Sequence, residues 1–178
     1  MATGTRLISV VGKKNCGKTT AVVALAKALQ KKGRRVATIK HGTHAADADR
    51  EGTDTWRHFN EGLAERVLME GPGGRVYFER TAEESDPLTL ARHFMDGIDI
   101  VICEGFTRFP IPKIEVFRSK EHKAPHYSPT HPLAEHWIAL VTDGPVPTTE
   151  FPVFNFSDTQ WLLSIAGLAW QNAIPINP

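Results

Sequence analysis

Apolar positions along the chain fall into short runs separated by stretches of helical period. Leu7-Ile8-Ser9-Val10-Val11 is nearly continuous, so residues 6–11 read as a buried first strand. Over residues 20–32 the apolar positions Val22, Leu25, Ala26 and Leu29 return on one helical face. Lys31 and Lys32 suit the negative end of that helix's dipole, and Gly33 is a natural stop. Residues 36–40 form a second short strand. A strand-helix-strand unit of this length demands a right-handed crossover and parallel pairing.

The later pattern continues in kind. Residues 54–62 predict a helix capped by Thr53 or Asp54, with Trp56, Phe59, Asn60 and Leu63 on one side. Residues 66–69 and 75–78 flank Gly71-Pro72-Gly73-Gly74 and predict a hairpin. A third helix starts at Ser85 or Asp86, with Pro87 at its first position and Leu88, Ala91, Phe94 and Met95 as its apolar side. Residues 99–103 read as a buried strand, 113–118 as an alternating one, and 137–142 and 153–156 as two more. Ser157 and Gln160 spell a capping box before a last helix with Trp161, Leu162, Ile165, Leu168 and Ala169 buried. Residues 41–53, 106–112 and 119–135 are polar or proline-bearing loops. The pattern predicts an α/β fold: a mostly parallel sheet flanked by helices in three layers, with a β-hairpin insertion.

Composition adds bounds. The 178 residues suit a single domain over 1–178, with 41% hydrophobic and 23% charged residues. A net charge of +1 gives no global field calling for nucleic acid or an anionic membrane. No apolar run approaches transmembrane length and the N-terminus lacks a signal-peptide profile, so a cytoplasmic location is expected. The two cysteines, Cys16 and Cys103, have no metal spacing and suggest a reducing compartment without a disulfide framework.

The chemistry is concentrated in residues 12–20, Gly-Lys-Lys-Asn-Cys-Gly-Lys-Thr-Thr, a G-x-x-x-x-G-K-[ST] phosphate loop set between a strand and a helix. Gly12 and Gly17 permit the sharp turn and close approach to an anion. Backbone N–H groups and the helix N-terminus then face the phosphates. Lys18 reaches the β- and γ-phosphates, and the Thr19 hydroxyl is offered to Mg²⁺. Glu104, after the apolar strand 99–103, is placed either to hold the metal or to sit as a solvated strand-end carboxylate; Gly105 beside it leaves room for a phosphate. Asp47 and Asp49 are either further metal ligands, Asp49 the preferred one, or ordinary loop acids. Lys40 and His41 close the second strand, where either can touch the nucleotide or lie as surface charge. Lys13 either reaches a partner's nucleotide across a dimer or adds local positive potential. Cys16 reads as a small residue that fits the turn. His122, His126, His131 and His136 lack the paired spacing of a zinc site and read as surface loop histidines.

Taken in order, the loop 12–20, Ile39-Lys40-His41, His44 with Asp49, Gly52, Asp54 and Thr55, Cys103-Glu104-Gly105-Phe106, Lys113-Ile114 with Phe117-Arg118, and residues 139–143 resemble the molybdopterin-guanine dinucleotide biosynthesis protein B (MobB) family, from residue 6 to about 145. The resemblance implies a P-loop NTPase fold, GTP and Mg²⁺ as ligands, weak GTPase activity and a homodimer. It implies a role beside the MobA-like guanylyltransferase that attaches GMP to molybdopterin, with molybdopterin itself a further candidate ligand. By motif position, Gly12, Lys13, Asn15, Cys16, Gly17, Lys18, Thr19 and Thr20 form the nucleotide cradle, with Lys40 and His41 beside it. Thr19, Asp49 and Glu104 hold the metal, Lys18 and Glu104 serve catalysis, and Asp143 reads the guanine edge. Two features depart from the family pattern: Lys13 and Lys14 stand where small or aromatic residues are usual, and the Asn-Lys-x-Asp guanine signature is reduced to Thr142-Asp143. Two other readings stay open. Glu104-Gly105 also resembles dethiobiotin synthetase, an ATP-dependent ligase, and a nucleotide-gated adapter would present loops 41–55 and 106–135 to a partner.

Overall fold

The apolar run at the start of the chain forms β1 (Arg6–Val11), five of whose six residues are buried. In the computed structural model, which describes residues 4–42, 49–158 and 160–177, β1 lies inside a mostly parallel sheet. The chain forms two compact units, one of residues 1–41 and 86–178 and a smaller one of Gly42–Ser85.

In the larger unit, β1 is followed by α1 (Lys18–Lys31), β2 (Val36–Lys40), α3 (Pro87–Phe94), β5 (Ile100–Glu104), β6 (Lys113–Phe117), β7 (Trp137–Thr142), β8 (Val153–Asn155), α4 (Trp161–Asn172) and β9 (Ile174–Pro175); α2, β3 and β4 belong to the smaller unit. The strand order is β2-β5-β1-β6-β7-β8, all parallel, with β9 antiparallel beside the start of β1. β1 and β2 run parallel, as their crossover requires, but they do not pair with each other, because β5 lies between them. Side chains alternate across the sheet. Ile8, Val10, Ile100, Ile102, Ile114 and Val116 pack with α1 and α4 on one face. Leu7, Val101 and Cys103 pack with Ala91 of α3 and Ile176 on the other. Val11, Phe117, Leu140, Trp137 and Tyr127 form a third cluster. This is the expected three-layer arrangement.

The smaller unit holds α2 (Asp54–Asn60) and the hairpin of β3 (Arg66–Gly71) and β4 (Gly74–Glu79), turning at Pro72-Gly73 with Gly73 at φ 93. Thr53 caps α2 by accepting from the Trp56 N–H at 3.2 Å. The Arg80 guanidinium lies over the Phe59 ring and donates to the Phe59 carbonyl.

Some local expectations change. The Ser157–Gln160 capping box does not form: Ser157 donates to Asn155 Oδ1, the Gln160 N–H donates to Asp158 Oδ1 at 2.8 Å, and α4 starts after Gln160 with no side-chain cap. Leu63 falls beyond the end of α2 at φ 53 and stays exposed, and Phe94 at the end of α3 is 46% exposed while Leu90 packs inward. The alternating strand 113–118 has no solvent face; all five residues of β6 are buried, Lys113 and Glu115 included.

Candidate functional site

The phosphate loop leaves the carboxyl end of β1 where β5 and β6 flank it. Gly12 sits at φ 148, and a Cβ there would lie 2.3 Å from the Val116 carbonyl oxygen, so no side chain fits. Asn15 at φ 64 and Gly17 at φ 91 are both left-handed, a conformation that glycine adopts freely and asparagine tolerates. Gly17 is the residue before α1, whose N-terminus therefore opens directly onto the loop. The Cys16 side chain turns into the core, fully buried. Lys18 Nζ donates to the Lys13 carbonyl at 2.8 Å.

Glu104 ends β5, and its side chain is buried beside α1. It accepts from the Thr19 hydroxyl through Oε1 at 2.8 Å, and Lys40 Nζ lies 3.7 Å from the same oxygen. The solvated alternative for Glu104 gives way to this contact. The His41 N–H donates to the Glu104 carbonyl at 2.9 Å, and its ring lies 5.1 Å from that of Phe106. Gly105 sits at φ 95, a left-handed conformation that favours glycine, and an added Cβ would stand a tight 3.2 Å from His41 Cβ. The Gly105 carbonyl in turn accepts from Ser9 Oγ at 2.5 Å. Thr19, Glu104 and Lys40 thus share the mouth of a cavity of about 360 Å³ whose walls are Val22, Val23, Ala26 and Ile39. Two hard oxygen donors side by side at the start of a phosphate-loop helix match the donor chemistry that Mg²⁺ takes.

The other named residues have separate places. Asp49, in the smaller unit, accepts from the Arg50 N–H at 2.8 Å, Thr53 Oγ1 at 3.2 Å and Thr55 Oγ1 at 2.6 Å, so it organises the entry to α2. Asp47 and His44 lie outside the described residues. Asp143 follows β7; one carboxylate oxygen accepts from the Ser119 N–H at 2.8 Å and the other from Arg118 at 3.2 Å. The Ser119 N–H chiefly, with Arg118 and the Ser119 hydroxyl, holds the Asp143 carboxyl below the ordinary carboxylate range against an opposing effect of burial. The Arg118 guanidinium also stacks 3.5 Å from the centre of the Phe156 ring.

Segment 119–127 carries what sequence reasoning missed. Lys13 Nζ donates to the Ala124 carbonyl at 2.7 Å, and His122 Nε2 lies 2.6 Å from the Lys14 carbonyl. The segment is tied down by Glu115, which is fully buried and accepts from the His126 N–H at 2.5 Å, the Tyr127 N–H at 2.9 Å and the Trp137 indole at 2.9 Å. Burial chiefly lowers the basicity of His126, with Lys13 and Lys18 pushing the same way and Glu115 and the Gly12 carbonyl opposing. His122 and His126 therefore belong to the surroundings of the phosphate loop rather than to a bare surface loop. Lys113 is as buried as Glu115. Its Nζ donates to the Phe109 carbonyl and to the Ile111 carbonyl at 2.9 Å, and it lies 5.3 Å from the centre of the Trp137 ring. Burial pushes its ammonium down to about 8. The one available sequence signal was an acid and a lysine inside an otherwise apolar strand. Burial also pushes the Cys103 thiol up to about 12, which makes it inert at neutral pH. Among the described residues no three His, Cys, Asp or Glu side chains gather into a further metal site, and no helix is long and apolar enough to cross a membrane.

The family model described as "Molybdopterin guanine dinucleotide synthesis protein B" (MobB) matches residues 7–143, a span that contains the phosphate loop, Glu104 and Asp143. The chain belongs to the MobB family. The molybdopterin-guanine dinucleotide biosynthesis adapter protein of Haemophilus influenzae is 31% identical to it over 141 residues, 79% of this chain and 76% of that one. The adapter protein of that name from Escherichia coli is 30% identical over 142 residues, 79% of each. In fold, the crystal structure of MobB from Bacillus subtilis superposes with a TM-score of 0.69 at 21% identity, over 92% of this chain and 97% of that one. The three-layer sheet with its phosphate loop is thus the architecture of solved MobB structures.

Proposed function

We propose that this chain is a GTP-binding adapter of molybdopterin guanine dinucleotide biosynthesis with slow GTPase activity. The observation that carries the reading is the Thr19–Glu104 contact of 2.8 Å at the mouth of a phosphate loop, in a chain of this family. Thr19 and Glu104 would hold Mg²⁺, which would supply neutralisation of the phosphate charge. Lys18 exchanges the Lys13 carbonyl for the β- and γ-phosphates, and backbone N–H groups from Lys13 to Thr20 cradle the rest. Lys40 and His41 position Glu104 from the end of β2. Asp143 contributes the guanine contact, giving up its bond to Arg118 to do so. Catalysis would consist of positioning and charge neutralisation by Lys18 and Mg²⁺, with Glu104 as the residue that holds the metal, which agrees with slow turnover.

The partner is a MobA-like guanylyltransferase, and molybdopterin is presented to it in the cytoplasm by a homodimer of this chain. The apolar side chains exposed on the β3–β4 hairpin support self-association. Lys13 is held by Ala124 of its own chain, which supports a local role rather than one across the dimer.

Calorimetric titration with GTP and with ATP, each with and without Mg²⁺, tests the reading. Tighter GTP binding that needs Mg²⁺, falls at least about 100-fold in Lys18→Ala and loses its base preference in Asp143→Asn is the expected result. Equal binding of the two nucleotides would turn the reading toward an ATP-dependent ligase.

A further inference from the structure

The phosphate loop contains a turn, Lys13 to Cys16, closed by the Cys16 N–H on the Lys13 carbonyl at 3.4 Å. Its third residue, Asn15, is at φ 64, the mark of a type II turn. Type I and type II turns differ by a rotation of the central peptide, here Lys14–Asn15. A trans peptide points its C=O and N–H in opposite directions. Whatever fixes the Lys14 carbonyl therefore also aims the Asn15 N–H. In the type I form Asn15 would relax to negative φ, and its N–H would turn to the wrong side.

We propose that His122 is a positioning residue of the phosphate loop, locking the Lys14–Asn15 peptide so that the Asn15 N–H faces the phosphate. His122 Nε2 stands 2.6 Å from the Lys14 carbonyl. A carbonyl only accepts, so Nε2 carries the proton, in the neutral ring as in the charged one. With the carbonyl drawn toward segment 119–127, the Asn15 N–H points away from that segment and into the anion-binding concavity. The backbone that carries the imidazole is itself held in place: the His122 main-chain N–H donates to the Arg118 carbonyl at 3.1 Å. Beyond it, Lys13 Nζ grips the Ala124 carbonyl at 2.7 Å, and Glu115 pins the His126 and Tyr127 N–H groups at 2.5 and 2.9 Å. The lock meets a local need: positions 14 and 15 are Lys and Asn, neither of which adopts the left-handed form as freely as glycine.

The inference rests on the nucleotide-binding reading for its ligand, and the test separates the two. Full-length wild type, His122→Phe and His122→Gln are titrated with Mg²⁺-GTP and with inorganic tripolyphosphate, and their thermal midpoints are compared. His122→Phe keeps a ring and loses the donor; it is expected to weaken both ligands about five- to tenfold, with the midpoint within about 2 °C of wild type. His122→Gln keeps an N–H donor and is expected to bind within about threefold of wild type. Unchanged binding in His122→Phe, absence of rescue by Gln, or a loss confined to GTP overturns the lock. If wild type binds neither ligand, the nucleotide reading fails on its own. The lock is then judged by nuclear magnetic resonance: an Nε2-protonated His122 ring and an Asn15 amide that shifts in His122→Phe support it, and an Nδ1-protonated ring or an unmoved amide overturns it.

Discussion

The two units break the usual rule of burial in opposite directions. The larger one puts charge inside: Lys113 and Glu115 are fully buried on one strand, and Glu104 nearly so on another. The smaller one leaves apolar side chains outside: Leu63 and Leu68 are 73% and 61% exposed, and Met69, Val76 and Tyr77 are substantially so. Within the hairpin, Leu68 faces Tyr77 and Met69 faces Val76 across the strands, and Val67 alone of β3 is buried. A buried charge is tolerable only where hydrogen bonds surround it, and an exposed apolar face is tolerable only where something comes to cover it. The first kind of exception marks a site completed within the chain. The second marks a surface completed from outside.

Removing the anchor of the buried network should have the largest effect. Glu115→Ala leaves three N–H donors, two of them buried, without an acceptor, and a loss of about 3–5 kcal/mol in urea unfolding is expected; a loss under about 1 kcal/mol would mean that the carboxylate anchors nothing. Lys113 gives a pH signature. Its folded-state value of about 8 lies below the ordinary 10.5, so between those values the unfolded chain binds more protons and stability rises with pH. The rise is expected to reach about 3 kcal/mol relative to Lys113→Met, read as the difference between their unfolding curves from pH 7 to 10.5. A flat difference would show that the amine is not held apart from water. In the smaller unit, Val67→Ala should cost about 1–2 kcal/mol and appear as faster hydrogen exchange in β3 and β4 while the β1 and β5 amides keep their protection. Leu68→Ser should change stability by less than about 0.5 kcal/mol yet weaken self-association about tenfold by sedimentation. If self-association is untouched, the hairpin covers a different partner.

The sequence made the first exception hard to see and the second easy to overlook. The phosphate loop was legible because its demands are local: Gly12 has no room for a side chain, Gly17 needs positive φ, and a strand and a helix must adjoin them. The existence of β1, β5, β6 and β7 followed, since they announce themselves as apolar runs, and Glu104 was legible as the acid at a strand's end; the order of the strands in the sheet was not. What was not legible depends on contacts far along the chain. The strand 113–118 alternates, which predicts a wet face, but residues 119–137 fold back over it and supply donors to Glu115. Asp143 looks free at the end of its strand, yet its oxygens are taken by Ser119 and Arg118. Ser157 and Gln160 have the right spacing for a cap, but Ser157 is drawn to Asn155 Oδ1 and the Gln160 N–H to Asp158, so both are used in the turn before α4.

The register of β1 carries a consequence for how the chain is made. Arg6 pairs beside Ile100 and Ser9 beside Lys113, so the strand that leads into the phosphate loop meets its neighbours only after roughly a hundred more residues have been added. At ordinary elongation rates this is about 5–20 seconds during which Leu7, Ile8, Val10 and Val11 have no sheet to join. The phosphate loop therefore leaves the ribosome well before the strands that fix its shape. Nucleotide cannot guide that early stage. During synthesis the nascent strand depends on α1 folding over it, or on a chaperone, to keep its apolar edge from pairing with another chain.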